Sequence, residues 1–182
     1  MGLYENYILP RFINCACSTK PMMKQREKVV PQASGTVLEI GIGTGLNLPY
    51  YDPQKVQKVI GLDPSEKSWE LAGQRARDLD FEVEFIGLPG EQIPLEDDSV
   101  DTVLVTYSLC TIPDPVAALE GMSRVLKPGG ELIFCEHGVK SRAVGRICIL
   151  RSLICSYDFM LGSLWRNFQQ FIIILIGRFS HV

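Results

Sequence analysis

The sequence predicts an α/β fold built on a doubly wound, mainly parallel sheet. Five short runs, near-continuously apolar or rich in β-branched residues, alternate with segments of helical periodicity. The first run stops on a glycine cluster, and the second and fifth end on acidic residues. With 182 residues, 46% apolar and 21% charged, the chain can bury one real core. A collagen-like repeat, a disordered chain and a disulfide miniprotein are excluded.

Residues 1–34 mix aromatic and basic side chains, with breaks at Pro10 and Pro21, and read as short helices preceding the main domain. Within them Lys24, Arg26 and Lys28 read as a solvated face, with closing over a cofactor as the lesser reading. Thr36 to Ile40 is a buried strand that ends at Gly41-Ile42-Gly43-Thr44-Gly45. Lys58 to Leu62 is the second strand, closed by Asp63-Pro64, and Ser65 is placed to cap a helix reaching about Leu79. Glu82 to Ile86 and Val100 to Thr106 are the third and fourth strands. Asp114-Pro115 starts a helix with Ala118, Leu119, Met122, Val125 and Leu126 on its apolar face. Lys127 to Gly130 turns the chain into a fifth strand, Glu131 to Cys135, which ends on Glu136-His137-Gly138.

The small net charge of -3 gives no basic footprint for nucleic acid, but it hides a split. Residues 1–138 hold 12 basic and 20 acidic side chains, and residues 139–182 hold 6 basic ones against Asp158 alone. All 11 prolines lie at or before Pro128. Six cysteines form no short framework and no leader opens the chain, so the expected setting is reduced and cytoplasmic. Cys15-x-Cys17 has no Cys-x-x-Cys pair and only His137 and His181 to join it, so no metal site is expected and the cysteines read as small buried groups.

In an open α/β sheet, ligands sit beyond the carboxyl ends of the strands. There the chain places Gly41, Gly43 and Gly45, which let backbone N–H groups approach a ligand, and Asp63, placed to accept two hydrogen bonds from a ribose diol. These are parts of an adenosine site, with the capping of the following helix as the plainer reading of Asp63. A dinucleotide fingerprint is disfavoured, because Leu46 stands where its third glycine belongs.

Glu39-x-Gly41-x-Gly43-x-Gly45 resembles motif I of the class I S-adenosylmethionine-dependent methyltransferases. The resemblance continues through Gly61-Leu62-Asp63-Pro64, Gly90-Glu91-x-Ile93-Pro94-Leu95, Ser99 to Val103 and Arg124 to Gly130, covering about residues 35–138. It implies a Rossmann-like methyltransferase fold of the small type seen in quinone-biosynthesis and thiol methyltransferases. Ser108-Leu109-Cys110 and Cys135 to Gly138 are similar to the thiol-methylating group. By the same resemblance, the three glycines shape the loop around the methionine part and Glu39 orders it. Asp63 holds the ribose and Pro64 flanks the adenine. The Gly90 and Glu91 backbone meets the adenine edge, and Thr106 and Tyr107 line the pocket near the sulfonium. Pro89 stands where many relatives offer an acidic or small polar side chain to the adenine amino group.

The implied reaction is in-line attack of a small acceptor's sulfur, carbon or oxygen on a sulfonium methyl, in which proximity supplies about 7–11 kcal/mol. His137, after strand five, is the first candidate for a general base and Tyr107 the second. For His137 a structural, hydrogen-bonded role is the plainer reading.

Residues 139–182 fall where such a family completes its sheet and substrate wall, which makes the C-terminal edge incomplete or altered. Phe171 to Ile176 suits a strand and Arg142 to Leu161 a helix, with no recognisable equivalent of the family's antiparallel pair. An altered lid, a segment lying on a membrane surface and an altered reading of the gene remain open for this stretch. The sequence therefore divides into residues 1–34, a cofactor-binding core of 35–138 and a basic, apolar segment of 139–182. Cofactor binding without turnover is the alternative to an active enzyme.

Overall fold

The computed structural model describes residues 17–138 other than 74 and 78, and the backbone of 173–180. For His137 and Gly138 the description is likewise of the backbone. Helix α1 (Lys20–Val29) leads into β1 (Gly35–Ile40), β2 (Val56–Leu62), α2 (Glu66–Ala72), β3 (Glu82–Ile86) and β4 (Val100–Thr106). Helix α3 (Pro115–Val125), β5 (Leu126–Gly138) and β6 (Ile173–Ser180) follow. The sheet order is β3-β2-β1-β4-β5-β6. Strands β1 to β5 pair in parallel, as their apolar runs predict. The order reverses between β1 and β4, so the crevice beyond their carboxyl ends is the expected place for a ligand.

Alternation of side chains explains the two buried layers. Val37, Val59, Leu104 and Ile133 share one apolar cluster with Met22, Val29 and Val30 from the α1 side. Leu38, Ile60, Val103 and Val105 share the other with Ala118, Met122 and Val125 of α3. Burying one such side chain contributes about 1.5–3 kcal/mol, so both faces reward the same parallel pairing.

Several element boundaries differ from the sequence expectation. Pro21 does not break the chain: it occupies the first turn of α1, where a missing N–H costs nothing. That phase turns Met22, Arg26 and Val29 inward, so Arg26 leaves the solvated face on which Lys24 and Lys28 remain. Helix α2, capped by Ser65 as expected, stops at Ala72 rather than near Leu79. Gly73 follows at the C-cap, and the next turn instead commits the Arg75 guanidinium to the Thr44 carbonyl at 2.8 Å. The Lys127–Gly130 turn is a bulge inside β5: Val100 pairs with Leu126, and pairing resumes at Thr102 with Glu131.

Strand β6 lies antiparallel on β5, from Glu131 opposite Ser180 to Gly138 opposite Ile173. The tail therefore supplies one antiparallel edge strand, where the sequence offered the Phe171–Ile176 run. The strand begins at Ile173, inside the anticipated Phe171–Ile176 run, and extends to Ser180. The anticipated Arg142–Leu161 helix lies outside the described residues. Among the described residues, no helix is long and apolar enough to cross a membrane.

Candidate functional site

The site is built on the loop after β1. Gly41 has φ +72°, and a Cβ there would run into the Ser108 side chain, so the loop lies directly against the end of β4. Gly43, at φ +50°, is different: a Cβ would come no closer than 3.7 Å to Asp63 Oδ2 and 3.9 Å to the Gly41 carbonyl. A methyl there would make only ordinary contacts, and its N–H donates to Asp63 Oδ2 at 3.0 Å. Gly45 packs on Leu48 and Ala72.

Asp63 accepts this bond on one oxygen and the Ser65 N–H, at 2.8 Å, on the other. The cap of α2 is the Ser65 hydroxyl, so Asp63 is free of that duty and ties β2 to the glycine loop. Burial pushes its pKa above the ordinary 3.8, while the two backbone N–H groups pull it back.

Glu39 sits beneath the loop with both oxygens held. Asn47 Nδ2 donates to Oε1 at 2.9 Å and the Tyr51 hydroxyl to Oε2 at 2.6 Å. It thus pins the segment leaving the glycine loop, and burial raises its pKa. Asn47 also donates to Thr106 Oγ1 at 2.9 Å and accepts from Arg26 Nη1 at 2.5 Å. The same Arg26 nitrogen donates to Thr106 Oγ1 at 2.7 Å. Four elements or loops, from α1 to the end of β4, meet in this one buried network.

Tyr107 adopts φ +57°, a backbone conformation that costs about 1–3 kcal/mol for a non-glycine residue and concentrates at ligand sites. The Arg26 guanidinium lies over its ring, 5.1 Å from the centroid. Its hydroxyl accepts from Cys135 Sγ at 3.3 Å. Burial first, then Cys135, raises the phenol's pKa, so it remains protonated at neutral pH. Glu136, at the end of β5, accepts the Ser108 and Leu109 N–H groups at 2.7 and 3.2 Å. It thereby fixes the turn after β4, and burial raises its pKa too.

Glu39, Gly41, Gly43, Gly45, Asp63, Thr106 and Tyr107 thus converge at the carboxyl ends of β1, β2 and β4. Pro64 is exposed beside Asp63. Gly90 is buried against Ile112 and Ile40, and Glu91 Oε1 accepts the Asp114 N–H at 3.1 Å, tying this loop to the start of α3. The His137 backbone pairs opposite Ile174 at the end of β5; its side chain lies outside the described residues. Of the cysteines described, Cys135 alone is buried, with Cys17 half-buried and Cys110 exposed. Among the described residues, no group of histidine, cysteine or acidic side chains is arranged for a metal.

Asn47 and Tyr51 are functional candidates that sequence reasoning missed, and Arg26 was read chiefly as solvated. For Arg26 a signal existed: Met22, Arg26 and Val29 share one helical face, which sets a cation in an apolar stripe.

Residues 38–134, just over half of the chain, match the family described as Methyltransferase domain. The chain belongs to the class I S-adenosylmethionine-dependent methyltransferases. Its similarity to the thiol S-methyltransferase TMT1B of Homo sapiens is 39% identity over 126 residues, 66% of this chain and 50% of the relative. With the demethylmenaquinone methyltransferase of Clavibacter sepedonicus it is 33% over 108 residues, 59% of this chain and 43% of the relative. This methyltransferase-family chain spans about half the length of the curated relatives it matches. A SAM dependent methyltransferase from Aquifex aeolicus has the same fold, with a TM-score of 0.69 at 20% identity over 94% of this chain and 97% of that one.

Proposed function

We propose that the chain transfers a methyl group from S-adenosylmethionine to a small-molecule acceptor, a thiol foremost among sulfur, carbon and oxygen nucleophiles. The observation that carries the reading is the union of Asp63 with Gly43: a carboxylate and a Cβ-free backbone turn held at 3.0 Å. Both Asp63 oxygens retain accepting capacity for the two hydroxyls of a ribose. The missing Cβ of Gly43 leaves room for the methionine part, and the Gly90–Glu91 backbone would meet an adenine edge. When bound, the cofactor supplies a methyl already activated on a sulfonium.

The protein's own task is then to orient and to exclude water. Tyr107, held by Cys135 below and Arg26 above, gives the acceptor side a fixed neutral wall. Ionisable groups near it are already committed: Glu39 to Asn47 and Tyr51, Glu136 to two backbone amides. His137 at the end of β5 is the proposed base. An acceptor that ionises easily places the least demand on such a site. A thiol, with an ordinary pKa of about 8.5, offers a few per cent thiolate at neutral pH. The names of the thiol S-methyltransferase relatives support the same choice.

The test is a thermal melt with and without S-adenosylmethionine, followed by methyl transfer to a panel of thiols and phenols. A cofactor-dependent rise in Tm and turnover on thiols are expected. No shift removes the reading, and a shift without turnover on any acceptor replaces it with non-catalytic binding.

A further inference from the structure

Glu136 is 7% exposed and stands at the carboxyl end of β5, where neither the cofactor subsites nor the proposed base makes use of it. The Ser108 and Leu109 N–H groups, at 2.7 and 3.2 Å, both donate to Oε1. The neighbouring Tyr107 N–H is spent on the Cys135 carbonyl at 2.8 Å. Oε2 therefore accepts no hydrogen bond among the described residues. The polar side-chain atoms there that are both sealed from solvent and unpartnered are Arg26 Nε and Glu91 Oε2, so Glu136 Oε2 reaches accessible space. No ion pair among the described residues neutralises this carboxylate: Arg26, whose field reaches it, gives its bonds to Asn47 and Thr106. Two amide donors on one oxygen favour the ionised form against the burial that opposes it.

The order of the strands sets this oxygen on the acceptor's side. Asp63 follows β2, the glycine loop follows β1, Thr106 and Tyr107 stand at the end of β4, and Glu136 ends β5, the next strand in the sheet. With strands about 4.8 Å apart, Glu136 lies roughly 14 Å from the proposed ribose holder, with the Tyr107 wall between them. Cys17, Tyr107, Cys110 and Cys135 feel its charge, and none of them is a cation. Cys110 is exposed, so the space beside Glu136 opens outward.

We infer that Glu136, through Oε2, selects the acceptor by charge, taking thiols that carry an ammonium or another hydrogen-bond donor and turning away those that carry a carboxylate. The inference rests on the function proposed above and adds a substrate class to it. An ammonium a few bonds from the sulfur gains a charge-assisted bond to Oε2. A carboxylate in the same place meets a like charge in a half-enclosed space, where repulsion exceeds that in water. Glutamine keeps an oxygen for the Ser108 and Leu109 amides but loses the charge, which separates selection of the acceptor from support of the turn.

The test compares kcat/KM for cysteamine, mercaptoethanol and mercaptopropionate between the wild-type chain and Glu136→Gln, at saturating S-adenosylmethionine. The ratio of cysteamine to mercaptopropionate is expected to fall by about tenfold to a hundredfold in the variant, mainly through KM, with mercaptoethanol changing less than either. Differences in thiol acidity cancel, because each thiol is compared with itself in the two proteins. A ratio that stays within about twofold overturns the inference. So does an equal loss on all three thiols, which leaves Glu136 with the turn alone. If Glu136→Gln fails to fold, inhibition of the wild type decides. The S-methyl derivative of cysteamine should then compete at least about tenfold more tightly than that of mercaptopropionate, and equal inhibition overturns the inference. Absence of turnover on every thiol brings down the proposed function, whereas turnover that ignores charge removes this inference alone.

Discussion

The carboxylate of Asp63 accepts the backbone N–H of Gly43 at 3.0 Å, so the end of β2 and the glycine loop after β1 form one unit. Replacing Asp63 by alanine removes both the loop's anchor and the proposed ribose acceptor. At a ligand concentration about a hundred times Kd, wild-type protein gains about 2.7 kcal/mol of stability, and Asp63→Ala should gain almost none. Paired thermal melts check this. An undiminished shift would place the ribose elsewhere.

Gly41 and Gly43 should respond differently to alanine. At Gly41 the new methyl meets Ser108 on top of an unfavourable φ, so the ligand-free protein should lose about 2–4 kcal/mol or fail to fold. Gly43→Ala meets nothing close and should cost only about 1–2 kcal/mol from its φ. The same methyl stands beside the Asp63 carboxylate, so cofactor affinity should drop in a well-folded protein. Urea unfolding and calorimetry together separate the two effects; equal behaviour of the two variants would contradict the geometry.

Tyr51→Phe deletes one hydroxyl and leaves Glu39 Oε2 buried without its donor. The expected loss is about 1–3 kcal/mol, read as a lower urea midpoint at unchanged slope. Because the Arg26–Asn47–Thr106 bonds stay in place, the far end of the network should be spared. A loss of less than a few tenths would mean that water reaches Glu39.

Glu136 gives a pH signature. Burial raises its folded pKa above the ordinary 4.5, so the folded protein binds its proton more tightly than the unfolded chain does. Its contribution is therefore most favourable below the ordinary value and is lost as pH rises through the raised one. Glu136→Gln has no such proton to lose. The Tm difference, wild type minus variant, should fall as pH rises above 4.5, and a difference that rises instead would reverse the sign of the shift.

The glycine loop, Asp63 and the five parallel strands were legible because each depends on local chemistry: a turn that Cβ atoms obstruct, a polar end to an apolar run, a period of two. The inward turn of Arg26, unlike Lys24 and Lys28, was not, because three cations spaced two apart on one helix look alike until the helix phase is known. That phase depends on Pro21 serving as a first-turn residue, although a proline also reads as a break. Asn47 and Tyr51 gave no signal at all. Their roles come from a partner, Glu39, which they meet only when the chain folds back beneath its own loop. The pairing of β6 with β5 was obscured for another reason: an edge strand is chosen by a long-range partner and is only weakly marked in its own residues.

Helix α1 lies before residue 38, where the family match begins, yet among the described residues it supplies the guanidinium of the network beneath the glycine loop. A protein fragment cut to the recognisable domain would keep every glycine and every acid of the motif while discarding that cation. It would also strip Met22, Val29 and Val30 from one face of the sheet and leave that face wet. A shortened or transplanted domain should accordingly start before Lys20. Proteins compared by motif alone can pass as equivalent while differing in the charge beneath the glycine loop.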